Sequence, residues 1–371
     1  MYNIRTFVVV ACTFLVLSAC MGDFSSDPEV RTLSASGQLI PVDTIAIQET
    51  DEDYIGRYTG AFVTTDPFRV YIADIQRHRV AVLNREGAIQ TYIGAPGQGP
   101  GELRNPHTVS VSGDTVIVNQ SYGRGYAVFD TAGTFYRTDR LPEGSWSAGS
   151  TPLFPVDSTY IYPLEQVDSR EQGLERSAKH TTMARLDATL NVIDTFGIFP
   201  ELYHGFSHVS TERSADLVGD DRLVVGYDLT PDVQLYDIST EEYERIDIIR
   251  LEHPEFKHPE EEVTMELAGD RDDLYERMAR ISRVHRTYGF ENRAVVQSFH
   301  NRTAAYYGRQ RDKSEQEHFA IIGHLDTNQQ EALSLPGPIL ARDDANRIYV
   351  ELDPTPDQRK IGVYEVVGWD N

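Results

Sequence analysis

Apolar and polar positions alternate along this chain in short runs of about four to eight residues, each closed by a polar or glycine-bearing turn. The stretch Tyr71–Leu103, YIADIQRHRVAVLNREGAIQTYIGAPGQGPGEL, shows the pattern. Two β-rich runs flank a polar loop, a turn follows at Asn84–Gly87, and a third run leads into glycines and prolines. Such runs, rich in β-branched and aromatic residues, predict strands. The same order recurs in units beginning at Asp66, Gly113, Gly219 and Asp344, with two degenerate copies from Asp157 and Thr303. Each unit is preceded by one more apolar run: GAFVTTD, HTVSVSG, STPLFPVD, SADLVGD, RAVVQSF and PILARDD. Four strands repeating at roughly forty to sixty residues predict an all-β, six-bladed β-propeller over residues 38–371. The last unit stops at RKIGVYEVVGWDN without an outer strand. The segment GQLIPVDTIAIQE, Gly37–Glu49, is expected to supply it, closing the ring and covering two sheet edges.

In a four-stranded blade, the loops joining strand two to three and strand four to the next blade share one face. The long segments Gly94–His107, Leu141–Ser150, Gln166–Lys179, Phe199–Arg213 and Leu251–Arg293 all fall there, and tight turns fall on the other. Extra sequence gathered on one face of a rigid scaffold predicts a binding surface. The longest insertion reads as helical over about 252–290: Pro259 and three glutamates suit a first turn, and Leu274, Met278, Ile281 and Val284 mark one face. That face is expected to cover the propeller or to act as a lid.

Within blade one, Asp74, Arg79, Gly87, Gly94, Gly99, Gly101 and Pro106 fall in the order strand–Asp–loop–Arg–strand–Gly, then a Gly/Pro-rich crossing and a proline before the next inner strand. This resembles the NHL repeat and is similar to NHL-like six-bladed propeller lipoproteins as a group. The match is good over Asp66–Asp130 and fades beyond: Asn119 stands where the second aspartate belongs. The resemblance implies the propeller and names no enzyme. Physically, a strand-end aspartate accepts bonds from loop amides, and glycine supplies the positive φ of the outer turn.

The N-terminus carries a different signal. Arg5 precedes the apolar run TFVVVACTFLVLSA, which is short for a membrane span and ends in LSAC, Leu17–Cys20. This resembles the bacterial lipobox, so residues 1–19 are expected to be a signal peptide. Cys20 is then the lipidation site and 20–37 a polar tether. The resemblance implies a covalent lipid on Cys20 and a bacterial envelope membrane as partner. Met21, where enteric bacteria place an inner-membrane retention aspartate, points to the outer membrane. The chain's only other cysteine is Cys12, inside the predicted signal, so no disulfide is expected. A net charge of −24 argues against nucleic acid and anionic head groups as partners. A monomer that binds an envelope protein or a small extracellular ligand is the expectation.

Two propeller chemistries set definite residue requirements. A calcium-dependent lactonase needs carboxylates converging on the axis from several inner strands. Of the predicted inner strands only one carries a mid-strand carboxylate, Asp216, with Asp66, Asp157, Asp220 and Asp343 at the far turns. A zinc lyase needs imidazoles from different blades. His78, His107, His204 and His208 fall on the long-loop face, but HGFSH carries Gly205 and reads as loop. No catalytic residue, metal ligand or cofactor is assigned. Arg77, His78, His107, Tyr122, Arg124, Trp146, Tyr203, His204 and His208 are the candidates for a recognition surface, since tyrosine, tryptophan and arginine dominate binding hot spots. Asn301-Arg-Thr matches a glycosylation sequon by letters alone.

Overall fold

The computed structural model describes residues 38–120, 125–141, 145–147, 152–166, 181–203, 212–260, 269–310, 313–327, 329–355 and 358–367. They belong to a unit spanning Ala35–Asn371. The predicted signal and tether, with Cys20, lie outside the described residues, as do Tyr122, Arg124, His204 and His208.

Six four-stranded antiparallel sheets form the blades. Their innermost strands are Tyr58–Thr65, Pro106–Ser112, Phe154–Val156, Arg213–Val218, Arg283–Gly289 and Ile339–Arg342. Blade 6 is closed from the opposite end of the chain, as expected: Gln38–Ala46 pairs antiparallel with Gln358–Val367, from Gln38 opposite Val367 to Ala46 opposite Lys360. The join continues into blade 1. Gln48 bridges Ala88, and the Gln48 N–H donates to the Gly87 carbonyl at 2.9 Å. Gly87 has φ +81°, and a Cβ there would lie 2.0 Å from the Ala46 carbonyl oxygen. The turn thus needs glycine twice, for its left-handed backbone and for the passage of the closing strand.

Two-residue alternation gives each blade two apolar faces, and these meet those of its neighbours. The described core falls into six clusters, one at each junction between consecutive blades. Ile45, Val63 and Tyr349, for example, join blades 6 and 1, while Val82, Val109 and Phe129 join blades 1 and 2. Stability is therefore distributed around a ring, and no blade has a core of its own.

Blade 5 departs from the sequence expectation. Its inner strand is Arg283–Gly289, RVHRTYG, and RAVVQSF belongs to its second strand, Ala294–Arg302. The inner strand carries two arginines and a histidine, so its polarity reads as part of the preceding insertion. In the degenerate copy that begins at Thr303, the tyrosine-rich stretch Tyr306–Gln310 is a helical turn and not a strand. The helix of the insertion is correspondingly short, Arg271–Ala279, capped by Asp270, whose side chain accepts the Asp273 N–H at 2.9 Å. Leu274 and Met278 pack into the cluster shared by blades 3 and 4. Ile281 lies past the helix, and Val284 is a strand residue, buried between blades 4 and 5. Four apolar positions at helical spacing thus came from three different local structures.

Candidate functional site

The inner strands surround an axial cavity of about 220 Å³ to which every blade contributes. Blades 1 to 3 line it with Ala61, Phe62, Val63, Val111, Phe154 and Pro155. Blades 4 to 6 add Ser214, Asp216, Arg286, Thr287 and Arg342. Val63, Val111, Leu217 and Tyr288 each stand near the C-terminal end of their inner strand, so the cavity lies toward the tight-turn face. The long-loop face instead carries an open depression of about 490 Å³ between blades 5 and 6, lined in part by Gln316, His318, Gly337 and Glu351.

Asp216 is the centre of the polar wall. Its side chain is 3 % exposed and forms a two-pronged pair with Arg342: Nη2 donates to Oδ1 at 2.8 Å and Nε to Oδ2 at 2.7 Å. The backbone N–H of Leu217 donates to Oδ1 at 2.8 Å and that of Gly289 to Oδ2 at 3.1 Å. Gly289 permits this approach, since a Cβ there would stand 2.2 Å from the Leu217 carbonyl oxygen. Burial alone would favour neutral Arg342, but the Asp216 carboxylate outweighs it and pushes the arginine above its ordinary pKa. One ion pair therefore links blades 4 and 6 and touches the inner strand of blade 5 on the way.

Arg286 lies deeper along the axis. It is buried, and a Cβ at Gly60 would lie 3.0 Å from its Nη2 and 3.0 Å from the His107 carbonyl oxygen. The guanidinium therefore reaches from blade 5 past blade 6 to the start of blades 1 and 2, through space that Gly60 leaves open. The inner strands thus carry buried arginines at 213, 283 and 286 and a partly exposed one at 342, in a chain of net charge −24.

A second polar assembly sits at the long-loop ends of blades 4 and 5. Arg283 Nη1 donates to Asp228 Oδ2 at 2.5 Å, and the Tyr203 hydroxyl donates to Asp228 Oδ1 at 2.7 Å. That hydroxyl also accepts the Leu229 N–H at 2.9 Å. Tyr203 is fully buried, between Phe199 and Tyr227. It is a core residue, and its assignment to a recognition surface is corrected: its ring fills the blade 3–4 cluster and its hydroxyl satisfies Asp228. Along blade 5, His285 and His300 stand with ring centroids 6.3 Å apart, and His318 lies 6.3 Å beyond His300. Burial, then the neighbouring arginines and imidazoles, hold His285 at a pKa of about 3 and His300 well below its ordinary value.

Of the candidates, Arg77 and His78 lie in the loop between the second and third strands of blade 1, and His107 lies at the start of the inner strand of blade 2. Arg77 lies 4.5 Å over the Tyr54 ring, and its N–H donates to Asp74 Oδ1. His78, at φ +55°, accepts the Asn105 N–H on Nδ1 at 3.1 Å. The His107 carbonyl accepts from the Thr59 hydroxyl at 2.8 Å, and its imidazole pKa is lowered by burial and by Arg57. Beside them Asp74 accepts the N–H groups of Gly56, Arg57, Gln76 and Arg77 at 2.7–3.1 Å, as its strand-end position predicts. Asn119 donates to the Tyr162 hydroxyl at 2.8 Å; residues 121–124, which follow its strand, lie outside the described residues. Trp146 lies in a short strand, Ser145–Ser147, paired with Leu164–Gln166. Neither Arg77, His78 nor His107 lines the axial cavity or the blade 5–6 depression. Arg286 and Arg342 were missed; the misplaced strand hid the first, and nothing local to Arg342 reveals a partner 126 residues away.

With this geometry in view, the comparisons with known proteins agree on the architecture. Residues 28–335 match DUF5128, described as a 6-bladed beta-propeller, and the chain belongs to that family. A DUF4221 family member from Bacteroides vulgatus ATCC 8482 is similar in structure, with a TM-score of 0.64 at 12% identity over 90% of this chain and 99% of that one. A candidate exported protein from Bacteroides fragilis NCTC 9343 has a TM-score of 0.57 at 13% identity, over 88% and 94%. At these identities the likeness is one of fold. No curated protein matches the chain.

Proposed function

We propose that the protein is a lipid-anchored bacterial envelope protein whose propeller binds a small ligand at its axis without a metal ion. The observation that carries this is the state of Asp216 in the wall of the axial cavity. It is the one carboxylate within an inner strand among the described residues. Its two oxygens already accept four hydrogen bonds, two from Arg342 and one each from Leu217 and Gly289. Calcium needs six to eight oxygens, and a carboxylate engaged in this way offers it none. What is left at the axis is a walled cavity, apolar on one side and polar on the other, which is the usual make-up of a small-molecule site. We put the ligand there and not on the long-loop face because residues of all six blades line the axial cavity, whereas the depression is lined by two. The lipobox-like Leu17–Cys20 supports the anchor, and the NHL-like order of Asp74, Arg79 and Gly87 supports kinship of blade 1 with NHL repeats.

The test has two parts. Labelled fatty acid should appear on the wild type, and Cys20→Ala should abolish it and release the protein from membranes or leave an uncleaved precursor. In a small-molecule thermal-shift screen, the compounds that stabilise the protein should do so equally with and without EDTA. Stabilisation or activity that requires added zinc or calcium, and is lost in Asp216→Asn, overturns the metal-free reading.

A further inference from the structure

We propose that a second site, a groove between blades 1 and 2 on the tight-turn face, takes a free basic α-amino acid, with its carboxylate on Arg69, its α-ammonium on Asp114 and the Tyr71 hydroxyl between them. The site is independent of the axial binding role proposed above.

The groove has a volume of about 400 Å³. Blade 1 lines it in part with Asp66, Arg69, Tyr71 and Gln90, and blade 2 with Asp114 and Thr131. Strand alternation builds the wall. Val70 packs between blades 6 and 1, so Arg69 and Tyr71, one position to either side, both face blade 2. Opposite them stand two tight turns of blade 2, tied together by the hydrogen bond from the Thr131 hydroxyl to Asp114 Oδ1.

The Tyr71 hydroxyl points to a ligand. Tyr71 is 3 % exposed and lines the groove, yet its hydroxyl makes no hydrogen bond among the described residues. A buried polar group without a partner is costly, and a ligand atom in the groove would satisfy it. Burial raises the pKa of this hydroxyl; Arg69 then lowers it and Asp114 raises it, so a cation and an anion flank one point. Arg69 donates Nη1 to the Phe68 carbonyl at 2.7 Å and keeps its other donors. Asp114 keeps Oδ2, and the two charges do not pair with each other among the described residues. A guanidinium and a carboxylate held apart around one hydroxyl match a ligand with both charges close together, which is the head of an α-amino acid.

Asp66 sets the side chain. It is exposed at the groove and pairs with no cation among the described residues. Once the zwitterion has met Arg69 and Asp114, the wall keeps one negative charge, which a cationic side chain answers. An exposed pair is worth little, so the preference for a basic side chain is a matter of about threefold. An apolar cavity of about 150 Å³ accommodates benzene, so 400 Å³ corresponds to roughly sixteen non-hydrogen atoms, enough for lysine or arginine.

The experiment is calorimetric titration of the detergent-purified protein, with EDTA present, against L-lysine, Nα-acetyl-L-lysine, L-lysine methyl ester and L-norleucine. Lysine should bind once per chain, with the acetylated and esterified forms each about tenfold weaker and norleucine about threefold weaker. Arg69→Gln, Asp114→Asn and Tyr71→Phe should each weaken lysine about tenfold. Tyr71→Phe should leave the melting temperature of the free protein unchanged or higher, because the hydroxyl it removes has no partner in the fold. Leu217→Trp, which fills the mouth of the axial cavity where Leu217 is only partly buried, should leave lysine binding unchanged. Norleucine binding as tightly as lysine overturns the preference for a basic side chain. The acetylated or esterified form binding as tightly as lysine overturns the zwitterion. Binding that survives Tyr71→Phe and Arg69→Gln, or that is lost in Leu217→Trp, overturns the groove as the site. A clear fall in the melting temperature of Tyr71→Phe, or no binding of lysine or norleucine, overturns the proposal as a whole and leaves the axial role untouched.

Discussion

Replacing Asp216 with asparagine keeps the shape of the side chain and removes its charge. The loss is large because of where the partner sits. The Arg342 side chain is 20% exposed, and its other anionic neighbour, Asp344, is 3.2 Å away but mostly in solvent. Breaking a buried pair by removing one member costs about 3–5 kcal/mol; with Arg342 partly exposed, we expect about 3 kcal/mol. For a domain of roughly 330 residues the unfolding entropy is about 0.7 kcal/mol/K, so the melting temperature should fall by about 4 °C. Arg342→Met should cost a similar amount by stranding the carboxylate. In the double variant Asp216→Asn/Arg342→Met neither charge is stranded; the asparagine oxygen keeps only one of the Leu217 and Gly289 N–H groups, which bond different carboxylate oxygens, a loss that the Asp216→Asn single shares. The destabilisation of the double variant should therefore fall at least 1 kcal/mol short of the sum of the two singles. Urea melts of the four proteins at pH 7 measure the cycle. Additivity within about 0.5 kcal/mol would refute the pairing of blades 4 and 6 through these side chains.

Deleting Gly37–Glu49 should cost the whole fold and not a single blade, because Gln38–Ala46 completes blade 6 and Ile45 packs between blades 6 and 1; an unchanged melting temperature would contradict closure by this strand. Stability should also fall below pH 6.5. His300 is held neutral in the fold, so the unfolded chain binds the extra proton between its ordinary pKa and the depressed folded one. Stability is therefore present above about pH 6.5 and lost as pH falls, by up to about 1.4 kcal/mol per pH unit from this group. Urea midpoints at pH 7, 6 and 5 for wild type and His300→Gln should converge as the pH drops; a pH-independent gap would show that His300 is not buried neutral.

How much of this was legible in the sequence depended on the distance over which each feature is determined. The turn at Gly87 and the Gln76 and Arg77 half of the Asp74 amide cradle are set within a few residues, so blade 1 could be read directly, while the Gly56 and Arg57 half comes from 17–18 residues away. Closure was legible because an outer strand was missing at one end and spare at the other. Blade 5 was misread because Arg283, His285 and Arg286 give an inner strand the polarity of a loop, while Leu274, Met278, Ile281 and Val284 imitate one long helical face. The axial site was half legible. Asp216 stood out as the lone inner carboxylate, but its four donors come from blades 4, 5 and 6 and meet only once the ring is built. Tyr203 shows the opposite error: an aromatic in a long loop reads as recognition surface, and its burial is set by Phe199, Tyr227 and Asp228 together.

The most direct test of the axial, metal-free binding role is native mass spectrometry of the protein purified from its own membranes, paired with metal analysis of the same sample. The account predicts a non-covalent organic adduct, small enough for the 220 Å³ cavity, present in the wild type and absent from Leu217→Trp, with no stoichiometric metal. One zinc or calcium ion per chain, lost on changing Asp216 or His107, would contradict it.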